Sequence, residues 1–174
     1  LAAGRTRKAA TYFSLSAERL ASKSALPAAI EAYQKAITLT QAEATKMSGS
    51  PADAWRQVLQ LASKVAPLQG IIATGDAWEL LDDVLKKAPS GLDPKSRAIA
   101  LHQRGLLELR LGRAPDAALS IAEAQRLYGP DAGAELTASL EIDLASSKET
   151  LGDHAGATHL LLEALKRLAG KKLT

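Results

Sequence analysis

The sequence contains no cysteine, few aromatic residues and no long apolar run. The absence of cysteine from all 174 residues excludes a disulfide scaffold, thiolate catalysis and a zinc ribbon. Aromatic side chains make up 3% of the chain and β-branched residues are scarce, so the composition does not favour a β-sandwich. No stretch of about 18 apolar residues occurs, so we expect no membrane-spanning helix.

Alanine and leucine dominate the residues that are present. The chain contains 35 alanines and 29 leucines, and both residue types are strong helix formers. The composition therefore predicts an all-α protein.

The net charge of +3 lies entirely in the first half of the chain. Much of it belongs to one cluster, Arg5, Arg7 and Lys8. A nucleic-acid surface needs a clustered basic face, often with aromatic residues that stack on bases. We interpret the cluster as the solvated start of a helix, and we expect no nucleic acid among the partners.

The sequence begins with leucine and shows no signal peptide, which would combine a basic start, an apolar run and a small-residue cleavage site. We expect a cytoplasmic fragment of a longer protein, with a mature chain after processing as the alternative.

Clusters of proline, glycine and serine divide the sequence into segments of helical periodicity. Two of these breaks, Ser50-Pro51 and Asp93-Pro94, have the residues typical of a helix N-cap and first turn. Pro67 lies inside a periodic segment and predicts a kink or break there. We expect eight helices, at approximately 5–23, 26–47, 51–73, 76–88, 94–111, 114–128, 131–150 and 154–169. We expect them to form a single repeat domain over residues 1–174, with helical hairpins at 5–47, 51–88, 94–128 and 131–169.

Small residues recur at matching positions when the turns at Ser24, Gly112 and Gly152 are aligned. Seven residues before each turn stands alanine or glycine, and two alanines follow it with one large residue between them. Small side chains let two helices approach closely. The aligned residues are Ala17, Ala29, Tyr33 and Ala36, then Gly105, Ala117, Ile121 and Ala124, then Ala145, Ala157, Leu161 and Ala164.

This pattern resembles the tetratricopeptide repeat (TPR), a helix–turn–helix unit of about 34 residues. The resemblance is clearest in Leu101-x-x-Arg104-Gly105, Leu111-Gly112, Ala117-x-x-x-Ile121-x-x-Ala124 and Pro130. It implies a right-handed α-solenoid of about four antiparallel hairpins. The sequence departs from the family in three ways: its turns are unevenly spaced, the hairpin at 52–88 fits loosely, and Glu108 or Lys148 replaces the usual aromatic residue of the first helix.

The long, alanine-rich helices are also similar to the C-terminal helical arrays of bacterial signalling proteins, among them multidomain ATPase regulators and Ser/Thr protein kinases. The residues that carry this likeness are Ala9-Ala10-Thr11-Tyr12-Phe13-x-x-x-Ala17-Glu18-Arg19-Leu20 and Ala29-Ile30-x-x-Tyr33-x-x-Ala36-Ile37.

No pattern in the sequence predicts catalysis or metal binding. The chain has no glycine-rich phosphate loop and no serine nucleophile elbow. His102 has no obvious partner and is expected to be a groove or surface residue. We expect His159 and Glu163 to form a surface pair, and we expect Glu141 and Asp143 to lie on solvated faces. The sequence therefore predicts a protein that is not an enzyme, with no catalytic residue, cofactor or metal.

The TPR resemblance implies that a peptide or protein partner binds on a concave surface lined by the first helix of each hairpin. The residues at the matching positions are Ser14, Glu18, His102, Leu106, Arg110, Ile142, Asp143, Ser146 and Glu149.

Two alternatives stay open at this point. The terminal helix is apolar on more than one side, through Leu160, Leu161, Leu162, Leu165 and Leu168, which favours a structural module that forms a homodimer. A helical sensor of a small ligand would need a pocket near His102, Arg104 or Arg110.

Overall fold

The computed structural model describes residues 2–46 and 51–170, which form eight α-helices and one short 3-10 turn. The helices are α1 (Ala2–Ser22), α2 (Leu26–Lys46), α3 (Ala52–Ile72), α4 (Thr74–Lys87), α5 (Pro94–Arg110), α6 (Ala114–Tyr128), α7 (Ala134–Thr150) and α8 (His154–Gly170); the 3-10 turn is Pro130–Ala132. These described ranges contain no β-strand. The expected all-α class is confirmed.

The chain divides into two compact units, Leu1–Ser96 and Arg97–Thr174. In the first unit each helix packs against the next, α1 on α2, α2 on α3 and α3 on α4. In the second unit α6 packs on α7 and α7 on α8. We call α1, α3, α5 and α7 the first helices of their hairpins, and α2, α4, α6 and α8 the second helices.

The repeated small residues are buried. The eight alanines of the aligned pattern are each at most 2% exposed, which confirms their predicted place between helices: Ala17, Ala29, Ala36, Ala117, Ala124, Ala145, Ala157 and Ala164. At Gly105 two helices approach closely, because a Cβ atom added there would lie 2.6 Å from Cγ1 of Ile121. This contact joins α5 to α6.

Three of the four turns within hairpins have the same backbone geometry. The turn residue has a positive φ at Ser24, Gly112 and Gly152, with values of 58°, 71° and 80°. In each turn the next residue donates its backbone N–H to a carbonyl five residues earlier, as in Ala25 to Leu20 at 3.0 Å. The equivalent bonds run from Arg113 to Glu108 at 2.8 Å and from Asp153 to Lys148 at 2.9 Å. This is the Schellman termination of a helix, and it recurs where the sequence repeat places it.

The hairpin of α3 and α4 departs from this geometry. Its connection is the single residue Ala73, with φ of −148°, and Gly75 lies inside α4 instead of in the expected turn. The break expected at Pro67 does not occur, since α3 is continuous from Ala52 to Ile72. A proline removes one backbone N–H donor, but the buried residues on both sides of it, Val65 and Ala66 before and Gln69 and Gly70 after, keep the helix packed.

The expected N-cap at Asp93 is present. Its carboxylate accepts hydrogen bonds from the backbone N–H and the hydroxyl of Ser96, both at 2.9 Å. The backbone bond from Ser96 is the main reason that the pKa of Asp93 lies below its ordinary value. The other predicted cap residue, Ser50, lies outside the described residues.

Exchanging the turn residues tests the shared turn geometry. Ser24→Gly should raise the free energy of unfolding and Gly112→Ala should lower it, each by about 1 kcal/mol, because glycine alone adopts a positive φ without steric cost. Urea unfolding followed by circular dichroism measures both changes. Gly75→Ala is the matched control, since a Cβ there meets nothing within 4 Å. Changes of the same sign in Ser24→Gly and Gly112→Ala would contradict the assignment.

Candidate partner-binding surfaces on the first helices

The nine residues predicted to contact a partner all lie on first helices. Ser14 and Glu18 are on α1, His102, Leu106 and Arg110 are on α5, and Ile142, Asp143, Ser146 and Glu149 are on α7. The α1 residues belong to the first compact unit and the others to the second, so we describe each unit's residues by themselves.

A hydrogen bond between His102 and Asp143 joins α5 to α7. Nε2 of His102 lies 2.6 Å from Oδ2 of Asp143, although the residues are 41 positions apart in sequence. The imidazole is buried and the carboxylate half-buried. His102 therefore has a partner that is not obvious from the sequence, and it is not a surface residue. The bond brings together two of the predicted partner-contacting residues and fixes the two first helices beside each other.

Exposed side chains surround this pair. Ile142, the neighbour of Asp143, is 41% exposed, and Ser146 and Glu149 follow it on the exposed side of α7. On α5, Leu106 and Arg110 follow His102 at intervals of four residues and therefore share its side of the helix. Leu106 is half-buried and Arg110 is exposed. The second unit thus presents a surface with a buried polar link, an apolar centre and charged edges.

Glu149 at the end of α7 binds the first residue of α8. Its Oε1 lies 2.9 Å from Nδ1 of His154. This hydrogen bond raises the pKa of His154 above its ordinary value, with the negative charge of Glu149 adding to the effect. The hydrogen bond that Lys166 donates to Glu163 at 2.8 Å is the main reason that the pKa of Glu163 lies below its ordinary value, and the charge of His159, the expected partner, lowers it further.

The first unit contains an equivalent link between its first helices. Oε1 of Glu18 on α1 lies 2.6 Å from Nζ of Lys64 on α3, and this hydrogen bond raises the pKa of Lys64. Tyr33 of α2 lies close to both charges, and burial raises the pKa of its phenol. Ser14, one turn before Glu18, is half-buried.

A buried polar cluster occupies the place where the TPR family has an aromatic residue. Glu108 is 2% exposed and accepts a hydrogen bond from the Ser120 hydroxyl at 2.6 Å. Arg104, one turn earlier on α5, donates to the same hydroxyl oxygen at 3.2 and 3.3 Å. The cluster ties α5 to α6. It also engages Arg104, one of the residues that the small-ligand alternative would need.

The expectation that Glu141 and Asp143 lie on solvated faces is also wrong. Glu141 is 4% exposed, and its two carboxylate oxygens accept hydrogen bonds from Nε of Arg167 at 2.9 and 3.1 Å. This pair joins α7 to α8 across 26 residues of sequence. The residues face different neighbours, since Asp143 points to α5 and Glu141 to α8.

The part of the chain that the structure describes has no group of three histidine or carboxylate residues that could hold a metal ion. In the same residues, no helix has the length and apolar character needed to cross a membrane.

Comparisons with known proteins show which solved fold the chain is similar to. No protein-family model matches the chain, and no curated protein matches it. Among solved structures, the chain is similar to the crystal structure of the MamA protein, with a TM-score of 0.52 and 12% sequence identity. The similarity covers 95% of this chain and 94% of that chain. At this identity the likeness concerns the fold alone, and it confirms the expected TPR-like helical fold.

The Glu141–Arg167 pair can be tested by removing its cation. Arg167→Met should lower the free energy of unfolding by about 2 kcal/mol, because it leaves a buried carboxylate without its partner. Lys166→Met is the matched control, since its exposed pair with Glu163 should contribute less than about 0.5 kcal/mol. Glu141→Leu combined with Arg167→Met should recover most of the loss. If urea unfolding showed that Arg167→Met and Lys166→Met lower the free energy of unfolding by the same amount, the assignment would be contradicted.

Proposed function

We propose that the chain is a non-catalytic interaction module that binds a peptide or a segment of a partner protein against its first helices. The observation that carries this proposal is the His102–Asp143 bond, which fixes α5 beside α7 and leaves Ile142 exposed next to it. The TPR-like fold supports the proposal, because stacked helical hairpins offer extended surfaces for partners.

The side chains around this bond suit a partner with both apolar and charged groups. Ile142 offers an apolar anchor, and a buried anchor usually supplies most of the affinity at an interface. Arg110 and Glu149 carry opposite charges at the edges, where charges guide register and association rate more than affinity. His102 and Asp143 already form a hydrogen bond with each other. A partner that covers them therefore need not supply a hydrogen bond to satisfy these two side chains.

Ser14 and Glu18 give the first unit a surface of the same kind, and we propose that it contributes to binding. We further propose a single repeat domain over residues 1–174 that acts in the cytoplasm, without a cofactor or nucleic acid. The resemblance to bacterial signalling arrays favours a scaffold or regulatory region of a larger protein with an ATPase or Ser/Thr kinase domain.

Selection from a random peptide library tests the interaction function. Peptides that bind the intact chain should bind the Ile142→Asp variant about tenfold more weakly, since a charge replaces the apolar anchor. Ser146→Arg should weaken binding in the same way by crowding the surface one turn later. Isothermal titration of the selected peptides measures both effects.

Leu119→Asp is the matched control. Leu119 is an aliphatic residue of the same unit, 71% exposed on the second helix α6. Its replacement should leave peptide affinity unchanged. A library that yields no binding peptide, or peptides equally sensitive to Leu119→Asp and Ile142→Asp, would contradict the proposed surface.

A second candidate function, self-association through α8, rests on a specific observation. Leu161, Leu162, Leu165 and Leu168 are 48%, 52%, 64% and 39% exposed on this helix. Buried against a second copy, such side chains would contribute apolar area to a dimer.

Light scattering over a range of concentrations tests this alternative. A homodimer should dissociate in Leu165→Glu but not in Leu119→Glu, which places the same charge on another exposed leucine of that unit. A mass that stays monomeric for the unsubstituted chain at all concentrations would exclude self-association through α8.

A further inference from the structure

One side of α1 carries exposed residues at regular intervals of three and four. We name this side the basic stripe and define it as Arg5, Lys8, Tyr12, Leu15 and Arg19. All five are exposed, Tyr12 by 70% and Leu15 by 61%. Alternating intervals of three and four keep residues on one line along a helix, which is the geometry that a second helix packs against.

The basic stripe lies away from the interior of its unit. Ala10 and Ala17, which mark the buried side of α1, are 2% and 0% exposed. The stripe also lies on a different side of α1 from Ser14 and Glu18, which belong to the partner surface proposed above. Successive residues of a helix are rotated by about 100°, which places Glu18 a quarter of a turn from Arg19.

The stripe has cations at both ends and no acidic residue. Among the described residues, Arg5, Lys8 and Arg19 form no ion pair. Glu18, the acidic residue of α1, is bound to Lys64 on α3. The charge of the stripe is therefore not neutralised within its own unit.

Two aromatic side chains and one surface cleft accompany these charges. The chain has two tryptophans, three tyrosines and one phenylalanine, and Tyr12 and Phe13 are adjacent on α1 with ring centroids 6.1 Å apart. Tyr12, Leu15, Ser16 and Arg19 line a cleft of about 330 Å³. The centre of the stripe thus offers apolar surface with a recess for a side chain.

We propose that the basic stripe is a docking surface for an acidic amphipathic α-helix of a partner protein. Apolar residues of that helix pack on Tyr12 and Leu15, and its flanking carboxylates bind Arg5, Lys8 and Arg19. Lys8 and Arg19 are about 16 Å apart along the axis, at about 1.5 Å per residue, which three turns of a partner helix span.

Charge and apolar content both favour this occupant. A nucleic acid would place phosphates along the whole stripe, but its centre is apolar and uncharged. A membrane-bound helix needs a broad apolar face, whereas this stripe has only Tyr12 and Leu15. An acidic helix with an apolar line meets both parts of the stripe.

A labelled synthetic peptide of about 20 residues tests this docking surface. It carries leucines at alternating intervals of three and four with glutamates beside them, and its binding to the full chain is followed by fluorescence anisotropy. We expect saturable binding that weakens about tenfold when Arg5, Lys8 and Arg19 are all replaced by glutamate. Tyr12→Ala with Leu15→Ala should weaken it similarly. Raising the salt concentration should also weaken binding, because these exposed charges are screened.

Matched controls separate this surface from net charge. Reversing Lys86, Lys87 and Lys166 changes the total charge equally on other helices and should leave the affinity unchanged. Ile142→Asp should also have no effect, so failure here is distinguishable from failure of the function proposed above. Circular dichroism establishes that each variant is folded.

Three outcomes would overturn the proposal. The first is no binding of the acidic peptide, or equal binding of a version with lysine in place of glutamate. The second is equal loss of affinity in the stripe variant and the charge-matched control. The third is binding of anionic lipid vesicles or single-stranded DNA, but not of the peptide, through the stripe residues.

Discussion

Close approach of helices at residues with one side-chain carbon or none is the constraint on which this structure depends. The alanines at matching positions of three hairpins are each at most 2% exposed, and at Gly105 there is no room for a Cβ atom beside Ile121. Protein interiors are packed at crystal-like density, so larger side chains at these points would move the helices apart. The hydrogen bonds between side chains of different helices form only at the helix separations that these small residues allow.

Polar side chains then determine which helices lie beside each other. Small residues provide little apolar area, and contacts among alanines do not distinguish one register from the next. Polar pairs with a buried or half-buried member do distinguish one register from the next, because a register shift would leave a charge unpaired away from water. His102–Asp143 links α5 to α7 and Glu141–Arg167 links α7 to α8 in this way, while the exposed pair Glu18–Lys64 joins α1 to α3. The partner surface proposed for the second unit is the exposed side of one of these links.

Local patterns were sufficient to predict the helices, the buried alanines and three turns, because each depends on residues within about one hairpin. The polar links could not be predicted, since their members stand 26 to 46 residues apart and pair only after the helices pack. His102 has no carboxylate near it in sequence, and Glu141 looks solvated beside Asp143. A signal was available at Glu108, where a charge replaces the family's aromatic residue and Arg104 precedes it by one turn. At Pro67 and Gly75 the turn signals were overridden by packing of α3 and α4.

The His102–Asp143 bond holds α5 beside α7 and so shapes the surface that we propose for a partner. A double-mutant cycle with His102→Ala, Asp143→Ala and the double variant, followed by urea unfolding, measures the free energy that couples the two side chains. We expect a coupling free energy of about 1 kcal/mol or more, with the double variant less costly than the sum of the single variants. Additive single effects, with a coupling near zero, would show that the bond does not hold the two helices together.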